Sequence, residues 1–145
     1  AMWRAQVAHE WAELRLVTEI AGGTRYEGCA DLGNTARGDG RRYRGRGLIQ
    51  ITGRYNYAAC SLALSGSADL LLEHPQLLAD DPLLACRSAG WYWRSRRLNR
   101  FADVGDITGC TKVINGGRNG QADRIKYFDR ARAVLGVDMT TTRSA

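Results

Sequence analysis

Two glutamates near the start of the chain, Glu10 and Glu27, precede an Arg/Gly-rich segment, Tyr43-Arg44-Gly45-Arg46-Gly47-Leu48-Ile49-Gln50-Ile51-Thr52. A carboxyl set among apolar residues stays protonated near neutral pH and can donate a proton, whereas one on a polar loop stays charged and can activate water. With amide and hydroxyl groups presented by a nearby strand, these are the parts needed to split a glycosidic bond. If the bond is cleaved with inversion, the two carboxyls must stand roughly 6.5–9.5 Å apart across a groove. The plainer alternative for each acid is structural: Glu10 held by an arginine and Glu27 solvated.

The elements that must position these groups are mostly helical. Apolar residues Trp3, Val7, Leu14 and Val17 fall at three-and-four spacing, which predicts a helix over 3–20 with Glu10 in its apolar stripe and Gly22-Gly23 at its end. Residues 22–47 hold eight of the seventeen glycines and no long apolar run, and so read as a functional loop or short hairpin carrying Glu27. Over 48–52 the alternation predicts a strand with Leu48, Gln50 and Thr52 on one side and Ile49 and Ile51 on the other. Further helices are predicted over 54–64, over 81–95 with Asp81 as N-cap and Pro82 in the first turn, over 103–114, and over 121–135 closed by Gly136. Ser65-Gly66-Ser67, His74-Pro75 and Asn115-Gly116-Gly117 read as turns, and 139–145 as a frayed tail.

At 145 residues with 44% hydrophobic content, the chain is long enough for one core, and 1–145 is expected to form a single catalytic domain. The formal charge of +6 concentrates in Arg37, Arg41, Arg42, Arg44, Arg46 and Arg54, with Asp39 as the one local acid, a surface that attracts polyanions. Cys29, Cys60, Cys86 and Cys110 lack zinc-ribbon or thioredoxin spacing and are expected to be reduced thiols.

His9-Glu10-Trp11-Ala12-Glu13 lacks the second histidine that a zinc-protease helix needs, so neither metal nor cofactor is expected. The glycines of 38–47 lack the ending of a phosphate-binding loop. Arginines around Tyr43 suit nucleic acid by charge and stacking, but no recognised module accompanies them, and a nucleic-acid partner is not expected. No apolar run approaches the roughly 20 residues that span a bilayer, and no secretory leader is visible. The start at Ala1-Met2-Trp3 enters a helical pattern without a cap, so an upstream segment is expected to be missing. Of Trp91 and Trp93, one is expected in the core and the other beside a sugar cleft.

Taken in order, Ala8-His9-Glu10, Tyr26-Glu27-Gly28, Asp31-Leu32-Gly33-Asn34-Thr35, Gly38-Asp39-Gly40, 43–52, Tyr55-Asn56-Tyr57, Trp91-Tyr92-Trp93, Ile114-Asn115-Gly116-Gly117 and Ala122-Asp123-Arg124 resemble glycoside hydrolase family 19. More narrowly, they resemble its phage-type endolysin branch, which is related to plant-type chitinases. The resemblance implies a mainly α, lysozyme-like α+β fold with a small β-hairpin edging the cleft, and inverting hydrolysis of peptidoglycan or of a chitin-like polysaccharide by a monomer. It further implies Glu10 as general acid and Glu27 as general base, with Glu19 and Glu13 as weaker matches, and Thr52 as the hydroxyl holding the attacking water. His9, Tyr43, Gln50, Tyr55, Asn56, Asn115 and Arg124 are then residues that bind sugar or orient the acids. Such an enzyme is soluble, made in the bacterial cytoplasm, and acts at the cell wall after release. Trp11-Ala12-Glu13 departs from the small residues that usually follow the His-Glu pair, which reshapes the floor beside the acid.

Overall fold

The first helix, α1 (Met2–Glu13), ends before the predicted 3–20 range is complete. Its C-terminal neighbours are drawn off by backbone pairing: Gly47 N donates to Val17 O at 2.9 Å and Glu19 N to Gly45 O at 2.9 Å. A residue paired to a distant segment cannot also close i→i−4 bonds, so the three-and-four spacing that reaches Val17 overruns the helix. The computed structural model describes residues 1–13, 17–117 and 119–136, without the side chains of 9–13; the expected tail over 139–145 lies outside the described residues.

Eight more α-helices follow among the described residues: α2 (Asp39–Arg42), α3 (Arg54–Ser65), α4 (Asp69–Glu73), α5 (Leu77–Asp80), α6 (Pro82–Ser95), α7 (Asn99–Asp103), α8 (Ile107–Asn115) and α9 (Gln121–Leu135). Asp81 caps α6 as its sequence predicts, its Oδ1 accepting from Leu83 N at 2.8 Å and Leu84 N at 3.1 Å. The helix predicted over 103–114 starts later, at Ile107, because Asp106 turns its carboxylate onto Gly109 N at 2.8 Å and caps α8 there, while Asp103 ends α7. Gly136 closes α9 in the left-handed conformation, as expected.

The strand predicted over 48–52 is a turn. Gln50 N donates to Gly47 O at 3.2 Å, and Gln50 itself takes a positive φ of 53°. Among the described residues, pairing in this region reduces to two isolated antiparallel bridges, Thr18 with Arg46 and Arg46 with Ile51. Leu48, Ile49 and Ile51 are nevertheless all buried, so the apolar content found its core without the alternation that a strand implies.

Contacts divide the chain into two units, one made of residues 1–13 and 93 onward, the other of residues up to Tyr92. In the first, α1 packs on α9, and α9 on α8. The face of α1 that is buried carries Met2, Ala5 and Gln6, whereas Trp3, assigned to the apolar stripe by spacing, is 38% exposed. Gln6 sets this register because it is hydrogen-bonded within the unit: Nε2 donates to Thr111 Oγ1 at 3.1 Å, and Oε1 accepts from Arg124 Nη1. Trp93 is also buried here, its indole N–H donating to Asn99 Oδ1 at 2.7 Å. In the second unit, α3 packs on α4 around Tyr57, Cys60 and Leu71, with Tyr43, Leu78 and Ala89 extending the core. No described helix is long and apolar enough to cross a membrane.

Candidate active site

In the second unit, the paired backbones of 17–19 and 45–47 bring Glu19 over Gly45. Glu19 Oε2 accepts from Gly45 N at 3.3 Å, and Oε1 accepts from Arg25 Nη2 at 2.6 Å and from the Tyr26 hydroxyl at 3.2 Å. Arg25 also donates to the Tyr26 oxygen. Burial lifts the Tyr26 phenol above its ordinary pKa, which keeps it a donor to the carboxylate. The Glu19 side chain is 14% exposed, and Arg25, 67% exposed, covers it from solvent with its guanidinium.

Gly45 makes the crowding around Glu19 measurable. A Cβ built there would lie 2.6 Å from Gln50 Oε1 and 3.3 Å from both Glu19 Oε2 and Thr52 Oγ1. A carboxylate, an amide and a hydroxyl thus converge on one glycine, at a spot any other residue would fill. The turn geometry holds them: Gln50 Nε2 donates to Gly47 O at 3.2 Å, Thr52 Oγ1 to Gln50 O at 2.9 Å, and Asn56 Nδ2 to Thr52 O at 2.7 Å. The positive φ of Gln50, uncommon for a residue with a side chain, is part of the same construction.

Glu27 stands elsewhere in this unit. Its carboxylate accepts from Gly38 N through Oε1 and from Gly40 N at 2.9 Å through Oε2, clamping the loop onto the first turn of α2. Gly40 is required for that approach, since a Cβ there would meet Glu27 N at 2.6 Å and Gly23 O at 2.7 Å. Both carboxylate oxygens of Glu27 are therefore engaged by backbone donors.

The remaining candidates separate. Tyr43 is only 1% exposed, its hydroxyl donating to Leu72 O at 3.2 Å, so its ring lies in the core. Tyr55 is 62% exposed with its ring over Gly33, and presents an aromatic face to solvent. In the first unit, Asn115 donates to Asn119 O at 3.0 Å, and Arg124 is 1% exposed beside Gln6. The side chains of His9, Glu10 and Glu13 lie outside the described residues; position 10 itself falls on α1, one turn beyond Gln6.

Sequence reasoning missed two supports of the site. Asn34, fully buried, donates to Tyr26 O at 3.0 Å and accepts from Arg54 N at 2.9 Å, tying the loop to the start of α3. Asp39 is gripped by both arms of Arg54, at 3.0 and 2.9 Å, and also accepts from Ala36 N at 3.0 Å. The Arg54 hydrogen bonds hold the Asp39 carboxyl below its usual pKa. A fifteen-residue separation carries no local signal for such a pair.

The family model described as "Chitinase class I" matches residues 16–110, a stretch holding Glu19, Glu27, Gln50, Thr52, Tyr55 and Asn56. A glycosyl hydrolase family 19 domain-containing protein of Haemophilus influenzae is 39% identical over 106 residues, 73% of this chain and 48% of that one. Endochitinase B of Nicotiana tabacum is 33% identical over 138 residues, covering 75% and 41%. The crystal structure of chitinase C from Streptomyces griseus superposes with a TM-score of 0.75 at 27% identity, over 99% of this chain and 62% of that one. The chain thus spans about half the length of the curated relatives it matches.

Proposed function

Starting from a chain that belongs to glycoside hydrolase family 19, we propose that it hydrolyses the β-1,4 bonds of peptidoglycan between N-acetylmuramic acid and N-acetylglucosamine, with inversion, and that both units form one catalytic domain. The observation that carries this reading is the convergence of Glu19, Gln50 and Thr52 on Gly45. A general base needs a lone pair free to take a proton from water and neighbours that hold the water in line. Among the described residues Glu19 Oε2 has only a long bond from Gly45 N, and it converges with a hydroxyl and an amide on Gly45, whereas both oxygens of Glu27 are occupied by backbone N–H groups. Glu19 is therefore assigned as the base and Glu27 as the clamp of its loop.

Glu10 is assigned as the acid that protonates the leaving oxygen. Its helix is anchored one turn earlier by Gln6, which Arg124 and Thr111 hold from two other helices. Thr52 and Gln50 steady the attacking water, the 43–52 segment edges the cleft, and Tyr55 offers its exposed ring to a sugar face. Inversion follows from direct attack of that water on the anomeric carbon: the C–O bond to the leaving sugar breaks as the new C–O bond forms, Glu10 losing a proton and Glu19 gaining one.

Chitin is the second reading, favoured by the endochitinase and chitinase names of the relatives. Incubation with purified wall sacculi and with chitin oligomers, with mass analysis of the fragments, tests the two together. Muropeptides with new reducing ends at N-acetylmuramic acid are the expected product. Cleavage of chitin oligomers with intact sacculi would reassign the substrate, and cleavage of neither would remove the hydrolase reading.

A further inference from the structure

On the second unit, α2 and the turn between α4 and α5 border an open basin of about 640 Å³, within the roughly 300–1,000 Å³ of small-ligand sites. All six arginines from Arg37 to Arg54 line it, against two acids, Asp39 and Glu73, a surplus of four positive charges.

Two of these guanidiniums, those of Arg42 and Arg46, are fixed in place without being neutralised. Arg46, buried, donates to Arg42 O at 2.8 Å and to the Tyr57 hydroxyl at 2.9 Å, and Arg42 donates to Leu72 O at 2.9 Å. These partners are neutral, so they hold the side chains and leave the charge. Asp39 is already matched to Arg54. Arg44 Nε is buried with no hydrogen-bond partner among the described residues. Arg37 and Arg41 are exposed, and no hydrogen bond or ion pair engages either within the described residues. A rigid positive floor with two uncommitted guanidiniums at its rim is a preorganised receptor for oxyanions, whose geometry the guanidinium fork matches.

We propose that this basin is an oxyanion-binding site, in which Arg37 and Arg41 take successive phosphate or carboxylate groups of a linear polyanion. The lining bears no exposed aromatic ring, Tyr43 being in the core, so it lacks the stacking platform by which proteins grip single-stranded nucleic acid. The ligand is read by its charge spacing. This site is separate from the Glu19 corner in its residues and chemistry, and stands whether the hydrolysed glycan is peptidoglycan or chitin.

The test is direct titration of the protein, at low and at physiological salt, with inorganic polyphosphate, with poly-L-glutamate and with duplex DNA. Capture of polyphosphate or polyglutamate, weakening with salt, is expected, and whichever binds tighter identifies the oxyanion. Arg37→Ala/Arg41→Ala should weaken it about 10- to 30-fold, from roughly fivefold per charge removed, while Arg37→Lys/Arg41→Lys retains most of it. Hydrolysis of uncharged chitin oligomers should be the same in all three proteins, and polyanion binding without any hydrolysis would support this site while removing only the glycosidase reading. The inference is overturned if neither chain binds, if the alanine pair changes affinity less than twofold, or if duplex DNA binds more tightly than both.

Discussion

At the residue scale, the two acids of the second unit differ in what their oxygens already do. Glu19→Gln should lower the rate of hydrolysis by roughly 10²–10⁴-fold, the usual worth of a general base, with the melting temperature nearly unchanged. Glu27→Gln sets an amide among the backbone N–H groups of Gly38 and Gly40 and loses a charge-assisted contact, so it should cost about 1–3 kcal/mol of stability and reduce activity only as folding fails. Paired rate and denaturation measurements separate them, and equal rate losses at equal stability would refute the assignment. Gly45→Ala is the finer probe. Its methyl would displace the end of the Gln50 side chain, which is flexible, so stability should hold while turnover falls at least tenfold. Sequence reading marked Gln50 and Thr52 as cleft-facing polar groups, and the structure does bring them to one corner. It gave Glu19 as a weaker match than Glu27 because the loop after the first acid varies in length between chitinases and endolysins, and it is the long-range pairing with 45–47 that sets Glu19 over Gly45.

At the scale of elements, what could be read locally was read. The Asp81 cap, the glycine end of α9 and the extent of α3 all follow from signals within a few residues of the boundary. What depended on distant partners was not: α2 arises inside a glycine-rich loop because Glu27 and Arg54 grip its start from far along the chain. The Asp39 and Arg54 pair gives this a pH signature. Because the folded Asp39 pKa lies below its unfolded value, the stabilisation is present above about pH 4 and is lost as pH falls through the folded pKa. Asp39→Asn should therefore flatten the acid limb of the stability curve, seen in urea titrations across pH 2–6. Tyr57 works at the other extreme: burial pushes its phenol up to about 12, while its hydroxyl joins Arg44 O to Arg46 Nη1. With the folded value above the unfolded one of about 10, the stabilisation is complete below pH 10 and is lost as pH rises towards 12. Tyr57→Phe should abolish that alkaline loss and cost about 0.5–1.5 kcal/mol at neutral pH.

At the scale of the molecule, the four cysteines report on both units at once. All are free thiols; Cys60 and Cys110 are buried, Cys29 is half-buried and Cys86 is exposed. Burial pushes the Cys60 thiol to about 12 and the Cys110 thiol to about 11, so neither offers thiolate at neutral pH. A chromogenic thiol reagent should modify Cys86 rapidly and Cys29 slowly, and reach Cys60 and Cys110 only as their units open. Prompt labelling of four thiols in the native protein would contradict the packing described for α3 and α8. The expectation of reduced thiols rested on the helical, alanine-rich segments around Cys60 and Cys86, and because those two segments look alike they gave no sign of which thiol is hidden.

The docking of α1 on α9 sets an order of events during biosynthesis. Residues 1–13 are synthesised well before α9, yet the helix they form has its packing surface, and the Arg124 that seizes Gln6, more than a hundred residues downstream. At the roughly 5–20 residues per second of translation, the segment bearing Glu10 waits several seconds for its partner while the following residues are able to fold. A ribosome stalled ahead of Gln121 would thus hold a chain whose α1 lacks its packing surface, and on the proposed role of Glu10 that chain should show no hydrolysis.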